Sequence, residues 1–221
     1  MDKSILSFLS ELSGNNHKDW FESNRKRYEK LKYDTIDLAA RLIPRLAEFD
    51  PSLGLLDPRK CIFRINRDVR FSKDKSPYKT NMGIFFSRNG KSDLASAGYY
   101  LHFEPGKCFI GGGIYGPPSD VLKAIRQEIY FNPQEFRQII NEKHFKEVFG
   151  ELGGEKLVRS PKGFPDDFPE IDLLKYKHYI VGHNIDDNLL NEPDFENRIM
   201  QIFSAMRDFN SFLNRAVQMA G

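Results

Sequence analysis

The 221-residue chain is 40% hydrophobic and 29% charged, which excludes a disordered or fibrous class and allows one well-filled core. Its net charge of +2 argues against a surface coated uniformly for nucleic acid. No apolar run approaches the ~20 residues of a membrane span, and the opening Met-Asp-Lys-Ser-Ile-Leu lacks a signal-peptide layout. Cys61 and Cys108 lie in apolar stretches without CxxC spacing. Both read as reduced core thiols of a cytoplasmic protein with no membrane partner.

The first quarter reads helical. Ser4 to Leu12 predicts a short helix, with Asn15-Asn16 as break and cap. A longer helical region follows: Trp20, Phe21, Asn24, Tyr28, Leu31, Thr35, Leu38, Ala39, Leu42 and Leu46 recur at three- and four-residue steps, and Pro44 kinks or shortens its end. The middle reads as sheet. Cys61, Phe63, Ile65, Val69 and Phe71 alternate with Arg64, Asn66, Asp68 and Arg70, predicting a strand, with Arg67 breaking its apolar face unless a bulge re-aims it. Further strands are expected at Met82–Arg88, Gly98–Glu104 and Cys108–Tyr115, the last two a hairpin through a type II turn centred on Pro105-Gly106.

Helices then return. Ser119 is expected to cap a helix with Val121, Leu122, Ile125 and Ile129 on its apolar side. Asn132-Pro-Gln-Glu135 carries the signature of a second helix start, running to Phe149 and stopping at Gly150. Residues 153–172 read as a long ordered loop, Lys175–Gly182 as a fifth strand, and Pro193 as the opening of one final helix to Val217. The order predicts a single α+β domain over 1–221, with a mainly antiparallel sheet of about 4–5 strands packed with N-terminal and C-terminal helices.

The chemistry concentrates in residues 59–80. Eight basic residues (Arg59, Lys60, Arg64, Arg67, Arg70, Lys73, Lys75, Lys79) face two acids (Asp68, Asp74), a local balance of +6. Such a cluster needs a counter-charge, either from the fold or from a ligand. Residues 164–196 hold nine acids and two lysines and are one possible source. Guanidinium forks suit phosphate and carboxylate. Arg64, Arg67, Arg70, Lys75, Tyr78 and Lys79 are therefore the candidate anion-binding residues, and Arg67, Asp68 and Asp74 the candidate structural ion-pair residues.

The spacing Arg64-x-x-Arg67-Asp68-x-Arg70-Phe71-x-x-x-Asp74-Lys75-x-x-Tyr78 fits RxxRDxRFxxx[DN]KxxY. On these residues the chain resembles a bacterial family called domain of unknown function 2461. The stretches Asn15 to Phe21 and Arg159 to Phe164 extend the resemblance along the chain. It implies no particular activity.

Other constellations are thinner. Gly111-Gly-Gly-Ile-Tyr-Gly116 matches GxGxxG, but Pro117 and Pro118 follow it and no βαβ unit surrounds it, so close backbone packing is expected. Tyr100, His102 and Glu104 share one strand face; His102 and Glu104 are a base-and-orienter or metal pair, or a solvated polar face. Trp20, Phe21, Arg25 and Tyr28 form an aromatic–basic stripe, a pattern that can stack bases but here reads as core with an arginine above it. No metal or cofactor is expected; no nucleophile or metal set identifies an enzyme, and catalysis at the basic motif stays an open alternative to binding alone. The functional expectation is a small phosphate- or carboxylate-bearing ligand at the basic motif. The alternatives are a nucleic-acid-binding module and a non-catalytic interaction protein whose motif is an internal salt-bridge network.

Overall fold

The computed structural model describes residues 4–218. In chain order the elements are α1 (Ser4–Gly14), α2 (Lys18–Ser23), α3 (Arg25–Ala47), a 3₁₀ turn (Pro51–Leu53), α4 (Pro58–Cys61), β1 (Met82–Phe86), β2 (Gly98–Phe103), β3 (Phe109–Ile114), α5 (Ser119–Phe131), α6 (Pro133–Asn141), α7 (Lys143–Phe149), α8 (Ile171–Leu174), β4 (Tyr179–Asn184), a second 3₁₀ turn (Asp187–Asn191), α9 (Phe195–Ala205) and α10 (Arg207–Gln218). The four strands form one antiparallel sheet of order β1-β2-β3-β4, so the class is α+β as expected. Among the described residues, no helix is long and apolar enough to cross a membrane.

The chain divides into two compact units. The first takes the chain up to Lys91 with Tyr100–Ile110 and Asn184–Met200. Here α3 packs with α1, α2, α4 and β1. Phe8, fully buried, stands 5.6 Å from Trp20, 6.4 Å from Phe21 and 6.2 Å from Tyr28. Phe21 is buried and Arg25 reaches over its ring at 5.7 Å, the core-with-arginine arrangement expected of this stripe. Pro44 is accommodated within α3, which continues to Ala47. The hairpin turn is as expected: the Lys107 amide donates to the Glu104 carbonyl at 2.9 Å, and Gly106 has φ +71°. Cys61 and Cys108 are free and buried, and burial pushes both thiols up to about 12.

The second unit takes Ser92–Tyr99, Gly111–His183 and the chain from Gln201 onward. Here α10 packs with α5 and α6, and α5 with α6 and α8. Phe136 lies 4.9 Å from Phe212 and 6.2 Å from both Tyr179 and Phe209. The Arg126 guanidinium donates to the Leu174 and Tyr176 carbonyls at 2.7 and 3.0 Å. The glycines of β3 are packed as their sequence suggested. A Cβ on Gly112 would overlap Met206 Sδ and stand 2.5 Å from the Gly98 carbonyl oxygen; one on Gly113, which has φ +101°, would overlap the Tyr179 carbonyl oxygen.

Four local expectations are corrected. Residues 61–71 are not a strand. Segments 62–67 and 77–84 pair only at Ile62 with Ile84 and Asn66 with Tyr78, because the Asp68 and Asp74 side chains between them satisfy the backbone locally. Phe71, placed on the apolar face by alternation, is 95% exposed. Ser119 is the first helical residue, after Pro118, and caps nothing. The helix from Asn132 breaks at Glu142, whose extended ψ of 137° lets its carboxylate accept from the Phe145 amide at 2.8 Å and start α7. Asn132 spends its side-chain amide on Glu128 (3.1 Å) rather than on a cap. The final helix is two helices, separated at Met206, where the amide bonds back three residues to Phe203.

Candidate functional site

The basic motif splits into an arm and a loop. The arm, residues 62–66, is anchored by the Phe63 amide to the Gly83 carbonyl (3.1 Å) and by the Lys79 amide to the Ile65 carbonyl (2.8 Å). Asn16 clamps the returning chain: it donates to the Tyr78 carbonyl at 2.9 Å and accepts from the Tyr78 amide at 3.1 Å. One side chain thus supplies the donor and acceptor of a missing strand. Phe21 then stacks on Tyr78 at 4.0 Å, which fixes the ring.

The loop, residues 67–77, is closed by its own charges. Arg67 pairs with Asp74 and also donates to the Ser76 carbonyl and Ser72 Oγ. Asp74 accepts from Ser76 Oγ at 2.7 Å and the Ser76 amide at 2.9 Å. These bonds, with Arg67, hold its carboxyl down at about 2. Asp68 accepts from the Arg70 guanidinium at 2.7 Å and from its amide at 3.2 Å, and Lys75 Nζ donates to the Val69 carbonyl at 3.0 Å.

Asp74 has a testable sign. Its folded pKa lies below the ordinary carboxylate value, so its contribution to the loop is complete above about pH 4 and is lost as pH falls through 2. Amide hydrogen exchange of residues 67–76, taken relative to the intrinsic rate at each pH, is expected to accelerate over that window in the wild type. In Asp74→Asn it should be fast throughout. Slow exchange in the variant at neutral pH would show that other bonds hold the loop.

The arm lines an open groove of about 550 Å³ whose walls include Arg25, Lys32, Arg59, Arg64, Tyr78 and Lys91, with Phe63 and Tyr28 among the apolar ones. Lys32 pairs with Glu29 within α3, and Arg25, at the start of α3, pairs with Glu22 of α2. Among the described residues no carboxylate lies within ion-pair distance of Arg59, Arg64 or Lys91. Lys79 sits 5.5 Å over the Phe63 ring, and burial, with the Arg64 charge beside it, holds its ammonium below the ordinary lysine value. Tyr78 is 6% exposed and its phenol is raised by burial.

Of the six candidate anion-binding residues, the structure brings Arg64 and Tyr78 to the groove and places Lys79 beside Phe63, one of its walls. Arg67, Arg70 and Lys75 are turned into the loop's own hydrogen bonds. Arg25, Arg59 and Lys91 join the groove although none was among the six candidates: Arg25 belonged to the aromatic–basic stripe and Arg59 to the basic cluster. Lys91 had a readable signal in Asn89-Gly90. Gly90 has φ +77° and packs against the Lys60 carbonyl, and the Lys91 amide donates to that carbonyl at 2.9 Å, so this turn returns Lys91 to the arm. Among the described residues no group of three or more His, Cys, Asp and Glu side chains is arranged to hold a metal.

These features define an α+β protein with a cationic, partly aromatic groove built on a pinned, irregular arm. The chain belongs to the family described as conserved hypothetical protein DUF2461, whose model matches residues 4–212. No curated protein and no solved structure matches the chain.

Proposed function

We propose that the groove binds a small anionic ligand through phosphate or carboxylate oxygens, with Arg59, Arg64 and Lys91 as its principal donors. The observation that carries this is the gathering of these three cations, unpaired among the described residues, around one concavity. Like charges held together without a partner are mutually destabilising, and an anion offsets that cost. Burial and, after it, the Arg64 charge disfavour the Lys79 ammonium, and a bound anion would offset the second of these.

Inorganic phosphate and citrate titrated against the protein test this by melting temperature and calorimetry. Both midpoints are expected to rise with ligand concentration by mass action. Arg64→Gln and Arg59→Gln each remove a charge-assisted hydrogen bond of about 1.5–3 kcal/mol, so each is expected to weaken binding by roughly 10- to 150-fold. Arg70→Gln and Lys75→Gln should leave affinity unchanged, because both side chains serve the loop. Equal losses from all four variants, or no binding at all, would overturn the reading.

A nucleic-acid module draws support from Phe71, exposed beneath the Arg70 guanidinium at 5.8 Å. Salt separates the two readings: an affinity spread over many phosphates falls steeply with salt, one or two anionic groups in a groove respond weakly. The pairs within residues 67–76 support an internal salt-bridge role for that part of the motif. A reducing, bacterial cytoplasm fits the buried, unpaired cysteines and the family resemblance.

A further inference from the structure

The half-buried face of β2 carries a second arrangement, independent of the groove. Tyr100 and His102 occupy alternate positions of β2 and point the same way, and Glu104, one residue past its end, continues the row. The Tyr100 hydroxyl lies 3.0 Å from His102 Nδ1, and His102 Nε2 lies 3.0 Å from Glu104 Oε2. Phe109 stacks on the imidazole at 4.7 Å with a 21° interplanar angle and limits its rotation. Gly83 on β1 makes room for the phenol, since a Cβ there would stand 2.5 Å from the hydroxyl oxygen. His102, Glu104, Lys107, Phe109 and Asn184 line a concavity of about 410 Å³ beside this row.

The neighbours fix the direction of the hydrogen bonds. Lys107 Nζ donates to Glu104 Oε1 at 3.3 Å, and an ionised carboxylate is an acceptor only. Nε2 must therefore donate. In the neutral ring Nδ1 is then a bare acceptor, and the Tyr100 hydroxyl donates to it. This gives the order hydroxyl, imidazole, carboxylate, in which a weak nucleophile faces a base held by a third group.

We propose that Tyr100 is a nucleophile for aryl esters of carboxylic acids, with His102 as its general base and Glu104 as a positioning residue. The Tyr100 Oη–carbonyl carbon bond forms as the phenolic proton passes to His102 Nδ1. The bond to the leaving aryloxide then breaks, and that group takes the proton from Nδ1. The product is an acyl-tyrosine, an aryl ester, which water cleaves to return the phenol. Burial makes a resting phenolate costly, so the proton must leave during attack, which is the service His102 supplies.

The test uses the whole protein and p-nitrophenyl acetate, with peptide mass spectrometry reading acetylation at each tyrosine. Wild type is expected to carry acetyl on Tyr100 ahead of the exposed Tyr33 and Tyr115. His102→Gln should slow Tyr100 acetylation by about a hundredfold or more, leaving Tyr33 unchanged. Nitrogen-15 spectra should show a pyridine-like Nδ1 at His102 in wild type and mixed tautomers in Glu104→Gln. Should His102→Gln fail to fold, Glu104→Gln carries the same comparison, with a slower Tyr100 reaction expected. Acetyl on Tyr33, Tyr115 or lysines but not on Tyr100 would overturn the proposal, as would a Tyr100 rate indifferent to His102 and Glu104.

Discussion

Gly113→Ala is expected to destabilise the protein by roughly 3 kcal/mol or more, a large share of the 5–15 kcal/mol that holds a typical domain. Two causes act together. At φ +101° an L side chain is strained whatever the space around it. The added Cβ would also overlap the Tyr179 carbonyl, and backbone cannot swing aside as a flexible side chain can. Gly106→Ala separates the causes, because Gly106 also has positive φ but no atom within 4 Å of its added Cβ. It should cost only about 1–2 kcal/mol. Urea denaturation of both variants makes the comparison, and equal midpoints would mean that the steric argument at Gly113 is wrong.

Phe8→Ala is expected to cost about 3–5 kcal/mol, as for other buried aromatic truncations. Phe8 is fully buried and meets Trp20, Phe21 and Tyr28, so no single neighbour can fill the space it leaves. The consequence should extend to the groove. Phe21 stacks on Tyr78, and both rings line the groove with Tyr28. Phosphate affinity measured well below the melting temperature should therefore fall even while the protein remains folded. A stability loss under 1 kcal/mol, or unchanged affinity, would show that these rings are held by something else.

The legible parts of this fold are those whose signal is local. The Glu-Pro-Gly-Lys turn specifies its own φ and its own hydrogen bond, and the hairpin around it follows. The N-terminal helices announce themselves by apolar spacing. Residues 61–71 misled because alternation is necessary for a strand but not sufficient: Asp68 and Asp74 offer the backbone nearer partners than a ladder does. Glu142 was unreadable for a related reason, since a glutamate that ends one helix and caps the next resembles any helical glutamate. In the candidate site, Arg64 and Tyr78 were visible within the motif. Arg25 and Lys91 lie outside the motif: Arg25 was legible only as the cation above a core stripe, and Lys91 only through the Asn89-Gly90 turn that returns it to the arm. The paired arginines, Arg67 and Arg70, were the less available ones for the same reason that they are prominent: their acids lie close by in sequence.

The two buried thiols bear on how this protein can be studied. With both held near 12, almost no thiolate exists at neutral pH, and maleimide or iodoacetamide should pass over Cys61 and Cys108 in the folded state. A cysteine introduced at a fully exposed position such as Val158 would then be the one reactive thiol, with neither native cysteine removed. Fluorophores or spin labels can thus be attached at chosen sites on the otherwise natural chain. The same reagents become a clock for opening, since modification of Cys61 reports each time its surroundings give way.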